Sequence, residues 1–171
     1  GKTQLLEEIR TYYPQRIEKY CEPFVGGGAV LFDVLSKFSP KEVLINDING
    51  ELTNCYIQIR DNVEPLIKFL TDWQSEYQNS SEEKRKEIFY EKRERFNTLI
   101  LAKDDSVEKA ALMIYLNKTC FNGLYRVNSK GLYNVPSGVY KNPSICNSEN
   151  LLAVHNSLHN VKITTGSYEQ S

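Results

Sequence analysis

An α/β fold built on a parallel sheet is the architecture this sequence predicts. Three observations predict it. Short runs at 20–24, 43–46 and 161–165 that read as buried strands alternate with stretches of helical character, an order that gives parallel strands with helices packed on the faces of the sheet. The first run leads into Val25-Gly26-Gly27-Gly28, where a backbone without Cβ atoms can turn tightly and approach a ligand closely. The second run ends at Asn46-Asp47-Ile48-Asn49, which places an acid nineteen residues beyond the last glycine. An acid so placed can accept hydrogen bonds from ribose hydroxyls. Together these features describe a site for an adenosine-containing cofactor; the plainer alternative is a tight strand–helix turn with a solvated loop aspartate.

Each element follows from local signals. Tyr20–Phe24 and Val43–Asn46 read as buried strands, with a helix over Ala29–Ser36 between them and Pro40 breaking the chain before the second strand. Glu51–Arg60 reads as a helix that stops at Asp61-Asn62, and Pro65 restarts one. Ser80–Leu101 carries Glu-Glu-Lys-Arg-Lys-Glu and Glu-Lys-Arg-Glu-Arg, opposite charges at helical spacing. It reads as a solvated helix packing Ile88, Phe89, Phe96, Leu99 and Ile100 inward, and its mixed-sign charge argues against a nucleic-acid role. Asp104-Asp105-Ser106 is a loop and cap before a helix from Val107 to Thr119. Ser129-Lys130-Gly131 separates two aromatic and aliphatic runs, a hairpin signal. A helix over Ser148–Leu158 precedes the third strand, Val161–Thr165.

Composition narrows the class. With 171 residues, 40% hydrophobic and 25% charged, the chain has the make-up of a soluble globular protein with one core or one core and a small module. It contains no apolar run long enough to span a bilayer and no signal-peptide pattern. Cys21, Cys55, Cys120 and Cys146 form no CxxC pair, so neither a zinc site nor a disulfide framework is indicated, and a reducing, cytoplasmic setting is expected. His155 and His159 lie four apart but lack a third ligand, which favours surface or half-buried histidines over a metal site. The net charge of −1 conceals an asymmetry: from Ala110 to Ser148 there is no acid, and Lys118, Arg126, Lys130 and Lys141 supply +4, leaving −5 for the remainder. A cationic segment on an acidic protein suits a phosphate-rich partner.

Residues 121–141 fall within that segment. Phe121, Tyr125, Tyr133 and Tyr140 stand beside Asn122, Arg126, Asn128, Asn134 and Lys141, side chains able to stack on bases, read base edges and hold phosphates. Packing of a tyrosine-rich hairpin against the core is the alternative reading.

The cofactor motif fits neither common nucleotide fingerprint. Leu31 stands where a nicotinamide site needs its third glycine, and no Gly-Lys-Ser/Thr follows the turn. Glu22-Pro23-Phe24-Val25-Gly26-Gly27-Gly28 and Asn46-Asp47-Ile48-Asn49 instead resemble the first two motifs of the Dam-type (GATC-specific-like) DNA adenine-N6 methyltransferases. Phe121-Asn122-Gly123-Leu124-Tyr125-Arg126 and Asn134-Val135-Pro136-Ser137-Gly138-Val139-Tyr140-Lys141 look like the target-recognition hairpin of that family. The resemblance implies a partial Rossmann-like S-adenosylmethionine-dependent methyltransferase domain with an inserted helical and β-hairpin DNA-recognition region. The cofactor core is assigned to 1–60 and 148–171, and the insertion to 61–147 with its hairpin at 121–141.

By the same resemblance, Lys2, Phe24, Gly26, Gly28, Asp47, Ser167 and Tyr168 contact S-adenosylmethionine, although many relatives have an acid where Ser167 stands. Arg126 reads a guanine edge, Leu124 and Pro136 make apolar base contacts, Asn122 adds polar contacts near the target and Phe121 wedges into the stack. Tyr140 and Lys141 hold the DNA backbone. The implied substrate is double-stranded DNA with a short site, GATC, and a restriction endonuclease of the same system is a candidate partner.

An adenine amino group is a weak nucleophile and is hidden in a duplex, so the base must be flipped into a pocket. Related enzymes hold it with an Asp-Pro-Pro-Tyr motif, whose acceptors stabilise the positive charge that develops on nitrogen. None of the six prolines here is adjacent to another, so that motif is absent. In the family it follows shortly after the strand that ends here at Thr165, and the opening Gly1-Lys2-Thr3-Gln4 resembles the tail of an earlier motif. A truncated chain, inactive by itself, is therefore expected, and no catalytic residue is assigned within it. Its three-stranded sheet with an uncovered edge predicts marginal stability or self-association. Two alternatives stand beside this reading: a non-catalytic module that binds DNA and cofactor, and an RNA methyltransferase, because a cofactor fold does not fix its substrate.

Overall fold

A computed structural model describes residues 19–22, 42–47 and 50–165. The helix expected over 29–36 lies outside the described residues. Three strands form one parallel sheet in the order β1-β2-β3: β1 (Lys19–Glu22), β2 (Glu42–Asp47) and β3 (Val161–Thr165). Cys21 pairs with Leu44, and Leu44 with Lys162, so β2 lies in the middle. Asp47 and Thr165 are register partners at the carboxyl ends of their strands. The first and second strands match the expected runs to within two residues, and the third matches in full.

Between β2 and β3 the chain builds a helical body. Helix α1 (Gly50–Asp61) leaves β2 directly, followed by α2 (Val63–Gln78), α3 (Glu82–Leu101), α4 (Val107–Thr119) and α5 (Ser148–Ser157). Side chains cap α3, α4 and α5, of which the Ser106 cap of α4 was expected from the sequence. Ser81 Oγ accepts from Lys84 N at 3.2 Å, Ser106 Oγ from Lys109 N at 3.1 Å and Asn147 Oδ1 from Asn150 N at 3.0 Å, each satisfying an amide that the first helical turn leaves unpaired. Helix α4 is the axis of the body: Ala110, Ala111, Leu112, Tyr115 and Leu116 are buried, and α1, α2 and α3 all pack on it. A helix apolar on most of its circumference belongs in such a central position. Of the inward stripe expected for α3, Ile88, Phe89, Phe96 and Leu99 are buried and Ile100 is half-buried.

Polar contacts tie the sheet to this body. Arg60 Nη1 donates to the Val161 carbonyl at 2.7 Å while its Nε pairs with Asp61 Oδ1 at 2.8 Å. His155 Nδ1 lies 2.8 Å from the Ile59 carbonyl oxygen, joining α5 to α1. Among the described residues no cluster of His, Cys, Asp and Glu could hold a metal, and no helix is long and apolar enough to cross a membrane.

Candidate functional site

Two regions carry the residues singled out by the sequence. Lys2, Phe24, Gly26, Gly28, Ser167 and Tyr168 lie outside the described residues. Asp47 is the last residue of β2, and α1 begins three positions later at Gly50. The carboxyl end of a parallel strand, just ahead of a helix, is where open α/β sheets bind ligands.

Helix α1 is held in place behind Asp47. Lys109, only 2% exposed, reaches from α4 to Glu51 Oε1 at 3.2 Å and to Asp105 Oδ1 at 2.8 Å. Burial works to lower its pKa, but the hydrogen bonds to Asp105 and Glu51 outweigh it and the pKa is raised. Lys109 thus stays a cation in the interior, as a buried charge can only with paired partners. Asn54 Nδ2 donates to the Ser106 carbonyl at 3.1 Å and Gln58 Nε2 to the Asp105 carbonyl at 3.2 Å. The turn before α4 therefore locks α1 from the side at Asn54 and Gln58. Cys55, on the same face, has its thiol pushed up to about 12, mainly by burial; it is inert packing, not a nucleophile.

The second region is the hairpin. It turns at Gly131, whose φ is +79°, after Asn128 Oδ1 has accepted from the amides of Lys130 at 2.9 Å and Leu132 at 3.1 Å. The two arms pair as a hairpin without forming a regular ladder: isolated antiparallel bridges join Val127 with Tyr133 and Cys120 with Ser137, and the amides of Asn128, Asn134 and Phe121 donate to the carbonyls of Leu132, Arg126 and Pro136 at 2.9, 3.1 and 2.9 Å. The physical reason is that much of the second arm's backbone is satisfied elsewhere. Asn97 on α3 donates from Nδ2 to the Tyr133 carbonyl at 2.9 Å and accepts the Tyr133 amide on Oδ1 at 2.8 Å. Arg93 Nη1 donates to the Val135 carbonyl at 3.1 Å, and the Ser137 amide donates to Tyr90 Oη at 3.3 Å. Farther along, the Tyr140 carbonyl accepts from Tyr77 Oη at 3.0 Å and from Arg85 Nη1 at 3.2 Å.

Tyr133 and Val135 point into the core, 3% and 0% exposed, with Tyr133 edge-on to Phe96. Strand alternation then turns Asn134 and Pro136 outward, and Pro136 is exposed while Asn134 is half-buried. Phe121, Leu124, Arg126 and Lys141 are also exposed, with Phe121 showing half of its surface to solvent. Arg126 Nε donates to Asn134 Oδ1 at 3.0 Å across the arms, which steadies the guanidinium while leaving its terminal nitrogens for a partner. Asn122 has φ +54°, a left-handed conformation that asparagine tolerates, and Asn117 Nδ2 binds the following Gly123 carbonyl at 3.1 Å. Tyr140 turns inward, its hydroxyl donating to the Cys120 carbonyl at 2.6 Å.

Between the regions lies a cavity of about 450 Å³, lined by Cys55 and Tyr56 of α1, Ile114 and Asn117 of α4, Tyr125 of the hairpin and Leu151 of α5. Tyr125 faces it, and its phenol is held well above the usual range, first by burial and then by the nearby Glu51. Sequence reasoning missed Tyr90, Arg93 and Asn97 as hairpin supports, because the charge-rich pattern of α3 reads as a solvated face; their spacing of three and four along one stripe was the available signal.

The type II methyltransferase M.MjaIII of Methanocaldococcus jannaschii is 48% identical over 176 residues, covering 99% of this chain and 60% of that protein. The type II methyltransferase M1.LlaDCHI of Lactococcus lactis subsp. cremoris is 40% identical, covering all of this chain and 57% of that protein. The DNA adenine methylase of Vibrio cholerae is 34% identical over 143 residues, which is 84% of this chain and 47% of that protein. The chain spans 60% or less of the length of each of these relatives. Residues 1–171 match the D12 class N6 adenine-specific DNA methyltransferase family, and the chain belongs to that family.

Proposed function

We propose that this chain supplies the cofactor pocket and the target-reading hairpin of a site-specific DNA adenine-N6 methyltransferase that uses S-adenosylmethionine and acts on GATC in double-stranded DNA. The observation that carries the reading is the hairpin. Its inward face is buried and its backbone is fixed to α3, while Phe121, Leu124, Arg126 and Pro136 remain exposed. A stacking ring, apolar contacts to thymine methyls and an arginine fork for guanine are the elements of direct base readout. The acid-free stretch from Ala110 to Ser148 suits the phosphates alongside.

For the cofactor, the strand order β1-β2-β3 supports one half of a Rossmann-like sheet, with 61–147 inserted between two parts of the core. Asp47 at the carboxyl end of β2 fits a ribose, because a carboxylate there accepts from both hydroxyls. S-adenosylmethionine, when bound, supplies an electrophilic methyl group; the chain's own part is to orient it from Asp47 and to present the DNA from the hairpin. No Asp-Pro-Pro-Tyr occurs in residues 1–171, so no residue here is given the task of accepting the amino protons. Free thiols at Cys55, Cys120 and Cys146 suit a cytoplasmic setting.

Two titrations test the reading. Calorimetry with S-adenosylmethionine should show binding that Asp47→Ala weakens by about tenfold, the loss of a charge-assisted hydrogen bond. Fluorescence anisotropy should show a GATC duplex bound more tightly than duplexes with one base changed. Equal affinity for all duplexes, or tighter binding to RNA of the same sequence, would sink the assignment of substrate.

A further inference from the structure

The stripe on α3 has a geometry of its own. Tyr90, Arg93 and Asn97 follow one another at three and four residues, on one helix face. Their partners, Ser137, Val135 and Tyr133, follow at steps of two in the opposite direction. Seven residues of helix rise about 10.5 Å and four residues of strand about 13 Å, a mismatch that side chains of this length absorb. The helix thus substitutes for a neighbouring β-strand. Asn97 is the most strand-like member, since its amide both donates to and accepts from one residue, Tyr133, at 2.9 and 2.8 Å.

The consequence is register. The arm's inward residues, Tyr133 and Val135, and outward residues, Asn134 and Pro136, are distinguished only by alternation. A slip of one position would exchange the two sets. It would also break the Arg126–Asn134 contact, because Asn134 would turn towards the core.

We propose that Asn97 is a positioning residue for sequence discrimination: by pairing with the Tyr133 backbone it reinforces, beside the cross-arm bonds of the Asn134 amide to the Arg126 carbonyl and of the Asn128 amide to the Leu132 carbonyl, the register that turns Asn134, Pro136 and the Asn134-steadied Arg126 towards DNA. The proposal rests on the reading of the hairpin as the DNA reader. Asn97 contacts no base; it acts through the arm it holds. Tyr90 and Arg93 extend the same support.

The test uses the 171-residue chain and a preferred duplex site selected from a randomised library. Anisotropy then gives the ratio of affinities for that site and for single-base variants, and hydrogen exchange follows the Tyr133 amide. Asn97→Ala should lower the ratio by about tenfold while affinity for random duplex changes by less than about twofold, the pattern expected when base readout is lost and phosphate contacts survive. The Tyr133 amide should exchange faster in the same variant. Asn97→Asp, which keeps the acceptor, should retain protection of that amide and recover part of the ratio. Tyr90→Phe, which removes only the hydroxyl at Ser137, should lower the ratio less. A folded Asn97→Ala chain with the wild-type ratio overturns the proposal. If Asn97→Ala does not fold, wild-type ratios in both Asn97→Asp and Tyr90→Phe overturn it instead. Arg126→Ala separates the two levels. A ratio lost in Arg126→Ala but kept in Asn97→Ala overturns the positioning role alone. No discrimination by the wild-type chain overturns the hairpin reading and this proposal with it.

Discussion

Tyr115 shows how finely the interior of this protein is balanced. Its ring is fully buried on α4, edge-on to Trp73 at 5.8 Å, and Lys92 Nζ sits 4.3 Å above the Trp73 ring and 5.2 Å from that of Tyr115. Lys92 has its pKa lowered, first by burial, and its charge is met by Glu76 at 3.4 Å and by the two aromatic faces. The Tyr115 hydroxyl has no partner among the described residues, and burial holds its pKa well above the usual range. An unsatisfied buried hydroxyl costs about 1–3 kcal/mol of desolvation, whereas the ring's packing does not need the oxygen. Tyr115→Phe should therefore raise stability by about 1 kcal/mol and the melting temperature by about 2–4 °C for a chain of this size. A thermal melt checks it; a lower midpoint would mean that the hydroxyl is solvated or bonded in solution. Tyr115 does not line the cavity, so DNA binding should not change.

Elements were legible where one periodicity governed them. Helix α4 and strand β3 match the expected Val107–Thr119 and Val161–Thr165 in full, the first marked by a serine cap and the second by the β-branched residues Val161, Ile163, Thr164 and Thr165 ahead of Gly166. The hairpin was legible, but its support on α3 was not. Its arms pair with each other, through Val127 with Tyr133 and the Asn134 amide on the Arg126 carbonyl, and the second arm also leans on α3, a contact between segments some forty residues apart that no local pattern encodes. The charges of α3 misled for the same reason: Arg85 and Arg93 resemble solvated neighbours of Glu82 and Glu94 until their carbonyl partners are seen. Gly138 closes this assembly. A Cβ there would lie 2.5 Å from the Tyr140 ring and 2.7 Å from the Cys120 carbonyl oxygen, which that tyrosine's hydroxyl binds. Gly138→Ala should thus cost about 1–3 kcal/mol of stability through forced displacement of the ring and backbone. Chemical denaturation measures it, and a neutral result would show that residues 137–140 can move aside freely.

For the molecule as a whole, positive charge is concentrated in one segment of an otherwise acidic chain. The net charge is −1, and the acid-free stretch 110–148 carries +4 while the rest carries −5. Among the described residues several of the acids elsewhere are engaged in ion pairs, such as Glu108 with Arg95 at 2.9 Å and Asp61 with Arg60. Long-range steering of DNA by such a chain is weak, so affinity must come from a few close contacts. If Lys118, Lys130 and Lys141 each neutralise one phosphate and Arg126 engages a base, about three counterions are released on binding. The slope of log affinity against log salt concentration should then be about −2.7, from about −0.9 per phosphate neutralised. Lys141→Ala should reduce the slope by about one unit and weaken all duplexes alike, whereas Arg126→Ala should leave the slope nearly unchanged and flatten discrimination. Anisotropy titrations over a range of salt distinguish the two variants directly. A slope much steeper than −4 would place further cations on the DNA, and α3, which carries most of the remaining arginines and lysines of the helical body, would be the first place to look. Its Arg85 and Arg93 are already committed to the hairpin backbone, so a role for them on phosphate would require the hairpin to shift on binding, with faster exchange of the Tyr133 amide in the complex as its sign.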